Sequence, residues 1–219
     1  MKYKKLITFE DKNSKTEEEN KKDESEPGTA LRNIEDLRFI SLYGEINEQN
    51  AARITSGLIA FKEQKKIIFN KKNPNEFIEF PESLEFMIST PGGSAHEMYS
   101  IYDTMRLVKK EGMDIKTIGI GKIMSAGVLL LAAGTKGLRC IGKNCHVMIH
   151  SVNGDIQGPL YEIGQEYKEM LKTQRKYINC LSKESKMTMR QIKDFIDQRK
   201  NIYLSAQESV KLGIVDNIF

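Results

Sequence analysis

Residues 115–134 read IKTIGIGKIMSAGVLLLAAG. Ile115 to Ile120 are β-prone and end on Gly121, which predicts a strand. Met124-Ser125-Ala126-Gly127 predicts a tight turn. Val128 to Ala133 is apolar all round, which predicts a helix buried in a core, stopped by Gly134 and Gly137. A strand, a turn and a buried helix in succession mark an α/β fold.

The flanking sequence repeats that alternation. Arg38 to Gly44 alternates apolar and β-prone residues, so it is read as a strand. Asn47 to Phe61 carries Ala51, Ile54, Leu58, Ile59 and Phe61 near helical spacing. Residues 62–82 are Lys/Asn-rich around Ile67-Ile68-Phe69, with a short extended piece at 76–80, and are read as an insertion or small hairpin. Glu85 to Ser89 is a buried strand running into the turn Thr90-Pro91-Gly92-Gly93, and Met98 to Lys109 is helical. Val147 to His150 is a strand. From Pro159 to about Ser185 the apolar residues Leu160, Ile163, Tyr167, Met170, Leu171, Ile178 and Leu181 hold a helical period in one long helix. Thr188-x-x-Gln191 and Ser205-x-x-Glu208 resemble capping boxes. The first opens a helix to about Arg199, and the second a helix stopped by Gly213, with Ile214 to Asp216 as a last strand. The expected class is α/β with mostly parallel pairing and crossover helices.

Composition sets outer limits. The 219 residues fit one domain with appendages, and 39% hydrophobic content suffices for a core. A net charge of +4 gives no argument for nucleic acid or a membrane surface, and neither partner is expected. The longest apolar stretch, around Val128 to Ala133, is too short to span a bilayer, and the first residues, MKYKKLITFEDK, lack the apolar core of a signal peptide. Cys140, Cys145 and Cys180 show no CxxC spacing, so they are read as reduced thiols in a reducing compartment, without zinc. Residues 10–26 (EDKNSKTEEENKKDESE) hold eight acids, four bases and no apolar side chain. Such a segment cannot offset its ordering entropy, so residues 1–30 are read as a charged, disordered segment and 31–219 as the folded domain. Tyr3, Leu6, Ile7 and Phe9 leave two readings of the first nine residues, a docking strand or a frayed terminus.

The chemistry-bearing residues are few. His96, His146 and His150 are the three histidines. A spacing of four on a strand sets His146 and His150 about 13 Å apart, too far to share an ion, so no metal is expected. His150 ends an apolar strand at the sheet edge where α/β sites form. Ser125 lies between a strand and a buried helix with Gly121 and Gly127 on either side, a nucleophile elbow in kind though not GxSxG. The helix that follows aims N–H groups at a developing oxyanion. The plainer reading of Ser125 is an N-cap on a core helix. The glycines of STPGG, residues 89–93, form a second loop whose backbone can approach a ligand.

STPGGS at 89–94, SIYDTM at 100–105, MSAGVLLLAAGTKGLR at 124–139, VMIHS at 147–151 and YLSAQESVKLGIVDNI at 203–218 occur in that order. Together they resemble the ClpP family, the proteolytic subunit of the Clp protease, from about Leu37 to Ile218. The resemblance implies a ClpP/crotonase-like spiral of βαβ units with a protruding handle helix at about 159–185. It implies a serine endopeptidase without cofactor, with Ser125 as nucleophile and His150 as general base. The backbone N–H groups of Gly93 and Ala126 would be the oxyanion donors. It further implies two stacked heptameric rings, a tetradecamer, enclosing a chamber that admits unfolded chains fed by an AAA+ unfoldase.

Some residues depart from that pattern. The third triad position, three residues before Leu204, is Asn201 where the family has Asp. Asn can accept from the imidazole but cannot neutralise its cation. Asp197 and Asp155 are candidate substitutes, and Ala126 stands where the family has Met. SVNGDIQG after His150 is less glycine-dense than the family's substrate-binding strand, and the N-terminal charge differs from its axial loops. The alternative to an active peptidase is a weak or silent structural subunit of a mixed ring. A crotonase-like acyl-CoA enzyme is a further reading, opposed by Ser125 and His150. The Lys-, Asn- and Ile-rich composition suggests an AT-rich genome, and the expected location is cytoplasmic: a bacterium, a phage host, or a plastid stroma.

Overall fold

The computed structural model describes residues 38–71, 83–198 and 200–219. The N-terminal readings and the extended piece at 76–80 lie outside the described residues. Among the described residues there are seven strands and six helices: β1 (Phe39–Tyr43), α1 (Glu48–Lys71), β2 (Ser83–Thr90), α2 (Ala95–Lys110), β3 (Asp114–Met124), α3 (Ala126–Ala132), β4 (Cys140–Ile141), β5 (His146–Ile149), α4 (Leu160–Glu184), α5 (Met189–Asp197), β6 (Ile202–Leu204), α6 (Ala206–Lys211) and β7 (Asn217–Ile218). The sheet runs β1-β2-β3-β4-β7, and β5 joins β3 on one side and β6 on the other. All pairings are parallel except β5 with β6, as crossover helices between successive strands require.

β3 is longer than expected and changes partner along its length. Ile118 and Gly119 pair with Cys140 and Ile141 of β4, whereas Lys122 to Met124 pair with His146 to Met148 of β5. The kink between them is at Gly121, whose φ of +62° suits glycine, and the register with β2 slips between Ile88 and Thr90. The glycine read as the end of a strand is therefore a bulge within it, and 124 is strand rather than turn.

Two other expectations change. The helix opened at Asn47 runs on to Lys71 instead of giving way to a hairpin, because Lys, Glu and Gln at 62–66 are good helix formers and no Gly or Pro intervenes before Pro74. The terminal strand is Asn217–Ile218, not 214–216. Ile214 and Val215 are buried, but their N–H groups turn back to the Ser209 carbonyl. The two-residue β4 and three-residue β6 carry too little local pattern to be read from sequence. Both capping boxes form: the Thr188 and Ser205 side chains accept from the N–H groups of Gln191 and Glu208, which return the bond.

α3 is the centre of the core, with all seven residues buried. Its close approach to the sheet depends on small residues. A Cβ on Gly127 would lie 2.3 Å from the Thr90 side chain, and one on Gly134 would lie 2.4 Å from the Thr117 hydroxyl. Cations satisfy the carbonyls at its C-terminal end. Lys109 Nζ donates to Ala133 O and Gly134 O at 2.8 and 3.0 Å, and Arg139 Nη1 donates to Ala132 O at 3.2 Å. Arg139 is buried and is forked onto Asp216 through Nε at 2.9 Å and Nη2 at 2.6 Å.

That pair yields a stability prediction. The Arg139 hydrogen bond, helped by the N–H groups of Arg139 and Gly137, holds the Asp216 carboxyl below its usual range. A carboxyl depressed in the folded state stabilises above its unfolded pKa and loses that contribution as pH falls through the folded value. Asp216→Asn is therefore expected to lower the melting temperature at neutral pH and to flatten its decline below about pH 4. Asp216→Ala, which strands a buried guanidinium, is expected to cost about 3 kcal/mol in chemical denaturation. Parallel acid-unfolding curves for wild type and Asp216→Asn would contradict this reading.

α4 is a single helix as expected, and its two halves differ. Tyr177, Ile178, Leu181 and Glu184 are buried against the body, whereas Leu160, Tyr161 and Tyr167 are 86, 76 and 57% exposed. Among the described residues, no helix is long and apolar enough to cross a membrane.

Candidate active site

Ser125 follows the last residue of β3 and precedes the first of α3. It is the one non-glycine among the described residues with a positive φ, at φ 55° and ψ −122°. Such a conformation costs about 1–3 kcal/mol and persists where surrounding contacts impose it. Those contacts are visible. The Ser125 N–H donates to Met148 O at 2.8 Å, which ties it to β5. Its carbonyl accepts from Val128 N–H at 3.1 Å and from the Tyr177 hydroxyl at 3.2 Å. The N-cap reading of its side chain does not hold, since the hydroxyl makes no capping bond and is left half-exposed at a cavity wall.

The second wall is the 90–94 loop. Gly92 has φ +100°, and a Cβ there would lie 2.7 Å from the Ser125 Cβ and 3.2 Å from its Oγ. Gly93 has φ +146°, and a Cβ there would lie 2.3 Å from the Ile46 carbonyl oxygen. Ile46 N–H donates to Gly92 O, and Ser94 N–H donates to Ile46 O, both at 2.8 Å. This parallel bridge spends both main-chain groups of Ile46 on Gly93's neighbours, so the N–H of Gly93 points away from Ile46. Among the described residues that N–H has no acceptor. Ala126 is the first helical residue, so its N–H has no intrahelical acceptor either.

The third wall comes from β5. His150 is the first residue beyond it, half-buried, and lines the same cavity of about 160 Å³ as Gly93, Ser125, Ala126, Met98, Tyr99 and Tyr177. β3 and β5 pair in parallel at Met124 and Met148, so the two residues leave adjacent strand ends on one edge of the sheet. Ile149 faces Ile202 across the antiparallel β5–β6 pair, and the next step of that register sets Asn201 opposite His150. Asn201 is exposed. Among the described residues no hydrogen bond joins Ser125 Oγ, the His150 ring and the Asn201 amide.

The other candidates lie elsewhere. Asp197 is exposed, ion-paired with Lys193, and lines a groove with Leu171, Ile178 and Met189. Asp155 and His96 line a broader cavity beside the first half of α4. His146 is exposed at the far end of β5. The three cysteines are unpaired, and burial raises their thiols, Cys145 to about 11, which suppresses the thiolate and leaves Ser125 as the nucleophile candidate.

Sequence reading had missed Tyr99 and Tyr177, which close the cavity from the helical side. Tyr99 donates to Thr173 O at 2.9 Å and lies under the Lys176 ammonium, 4.8 Å from its ring centre. No local signal marks either residue, because each is an ordinary apolar-face position on its helix.

A strained serine, a histidine from the neighbouring strand and two unspent main-chain donors around one cavity are the kinds of group that acyl transfer requires. The Clp protease family model matches residues 22–219, a span that contains every one of these parts. On that match and this geometry, the chain belongs to the Clp protease family, and its fold is the ClpP/crotonase-like α/β spiral.

Proposed function

We propose that this chain is a serine endopeptidase subunit that hydrolyses unfolded polypeptides inside a chamber formed by stacked, heptameric rings. The carrying observation is the imposed backbone of Ser125, at φ 55° in the same cavity as His150. In the first step His150 accepts the Ser125 hydroxyl proton while Oγ attacks the scissile carbonyl carbon. The carbonyl oxygen takes up the negative charge and is met by the N–H groups of Gly93 and Ala126. Collapse breaks the C–N bond, and the imidazolium gives its proton to the leaving amine. Water, deprotonated by His150, then attacks the acyl carbon; the C–Oγ bond breaks, the imidazolium returns its proton to Ser125 Oγ, and the acid is released. Asn201 accepts from the imidazole and holds its orientation.

Assembly is supported by the first half of α4. Exposed Leu160, Tyr161 and Tyr167 on this half of the helix suit burial against another copy. An enclosed chamber would restrict substrates to unfolded chains, supplied by an AAA+ unfoldase. The proposed setting is cytoplasmic.

A fluorophosphonate probe tests the reading directly. The expected result is a single adduct on Ser125 in the assembled protein. An assembled protein with no adduct would favour a second reading, a silent structural subunit of a mixed ring, which Asn201 supports. A stable monomer by light scattering would contradict both readings.

A further inference from the structure

The Ser125–Ala126 peptide is held from a helix outside the nucleophile loop. Tyr177 lies in the buried half of α4, 7% exposed, and its hydroxyl donates to Ser125 O at 3.2 Å. Burial pushes its phenol well above the usual range, so it remains an O–H donor at any working pH. The other cavity tyrosine cannot substitute. The Tyr99 hydroxyl is committed to Thr173 O at 2.9 Å, one turn before Tyr177, where it ties α2 to that part of α4.

The consequence follows from amide planarity. No cis peptide occurs among the described residues, and in a trans peptide the C=O and the next N–H point in opposite directions. Drawing the Ser125 carbonyl toward Tyr177 and Val128 N–H turns the Ala126 N–H the other way. Ala126 lines the cavity shared by Ser125, His150 and Gly93. A hydrogen bond to a carbonyl also polarises its amide and strengthens the N–H as a donor.

We infer that Tyr177 is a positioning residue for the oxyanion donor: through the Ser125 carbonyl it aims and polarises the Ala126 N–H. The inference rests on the peptidase reading above. It assigns Tyr177 no contact with substrate at the reacting carbon. The contact acts mainly when the carbonyl oxygen becomes charged, so it affects the transition state more than substrate binding.

The test is Tyr177→Phe, which keeps the ring and removes one hydroxyl, in the assembled full-length protein. The expected result is a kcat for an unstructured peptide about five- to tenfold lower with KM unchanged, as loss of one hydrogen bond predicts. Affinity for a peptide boronate, whose tetrahedral adduct places an oxygen at the same donors, is expected to fall by a similar factor. Hydrogen–deuterium exchange of the amides at 125–128 is expected to quicken. Unchanged kcat and boronate affinity, with or without a lower melting temperature, overturn the inference and leave Tyr177 a packing residue. A wild-type protein that neither cleaves peptide nor takes the fluorophosphonate overturns the peptidase reading instead. The exchange comparison then decides the Tyr177 contact alone, equal exchange in both proteins overturning it.

Discussion

Ser125→Ala is expected to reduce hydrolysis of an unstructured peptide by about 10⁴-fold or more, as loss of a catalytic serine does in enzymes that use one. The size of the effect comes from the chemistry: without Oγ there is no acyl-enzyme, and the remaining donors stabilise only uncatalysed attack by water. Assembly should survive, because the Ser125 hydroxyl carries no capping bond and the loop is held by main-chain contacts to Met148, Val128 and Tyr177. The paired measurements are peptide turnover and light scattering. Undiminished turnover in an intact assembly would remove Ser125 from the mechanism. Loss of assembly would instead show that the strained backbone needs the serine side chain.

Asn201→Asp is the second large effect, and it runs upward. With Asn the imidazolium formed during attack has no neutralising partner, and the amide can rotate to present its NH₂, which selects the wrong ring tautomer. Exchanging Asp for Asn in that role costs about 10⁴ in kcat in the trypsin-type triad. Restoring a carboxylate opposite His150 is therefore expected to raise kcat by about 10- to 10³-fold, the lower part of that range applying if Asn already orients the ring well. The placement favours this residue over the two aspartates. Asp197 is engaged by Lys193 along α5, and Asp155 lines a different cavity. An unchanged or lower rate in Asn201→Asp, with Ser125 still labelled, would mean that His150 works without a partner at that position.

The two variants together also separate an active enzyme from a silent subunit. A silent subunit awakened by Asn201→Asp has an otherwise intact site, whereas one that stays silent is deficient elsewhere.

The apolar period of 160–181 and the buried run 128–133 gave α4 and α3 without a structure, because each is a long statement repeated turn after turn. The capping boxes at Thr188 and Ser205 were legible for a similar reason: a few adjacent residues contain the whole interaction. β4 and β6 were not legible, since two or three residues extend only because a neighbouring strand accepts their hydrogen bonds. The end of α1 was misread because Ile67-Ile68-Phe69 looks extended by composition, while the helix already running from Glu48 continues at lower cost than a new element begins.

Sequence by itself determined which groups can react: one serine between glycines, three histidines, a Gly-Gly turn and an asparagine three before Leu204. Those are matters of covalent identity and short spacing, and folding does not alter them. Tertiary structure decided which of them meet. The bulge at Gly121 lets β3 leave β4 and pair with β5, which brings Ser125 and His150 to one cavity, and the β5–β6 register sets Asn201 rather than Asp197 opposite His150. It also brought Tyr177, 52 positions from Ser125, onto that serine's carbonyl. Contacts of that separation are set by the packing of whole helices and strands, so no local window of sequence contains them.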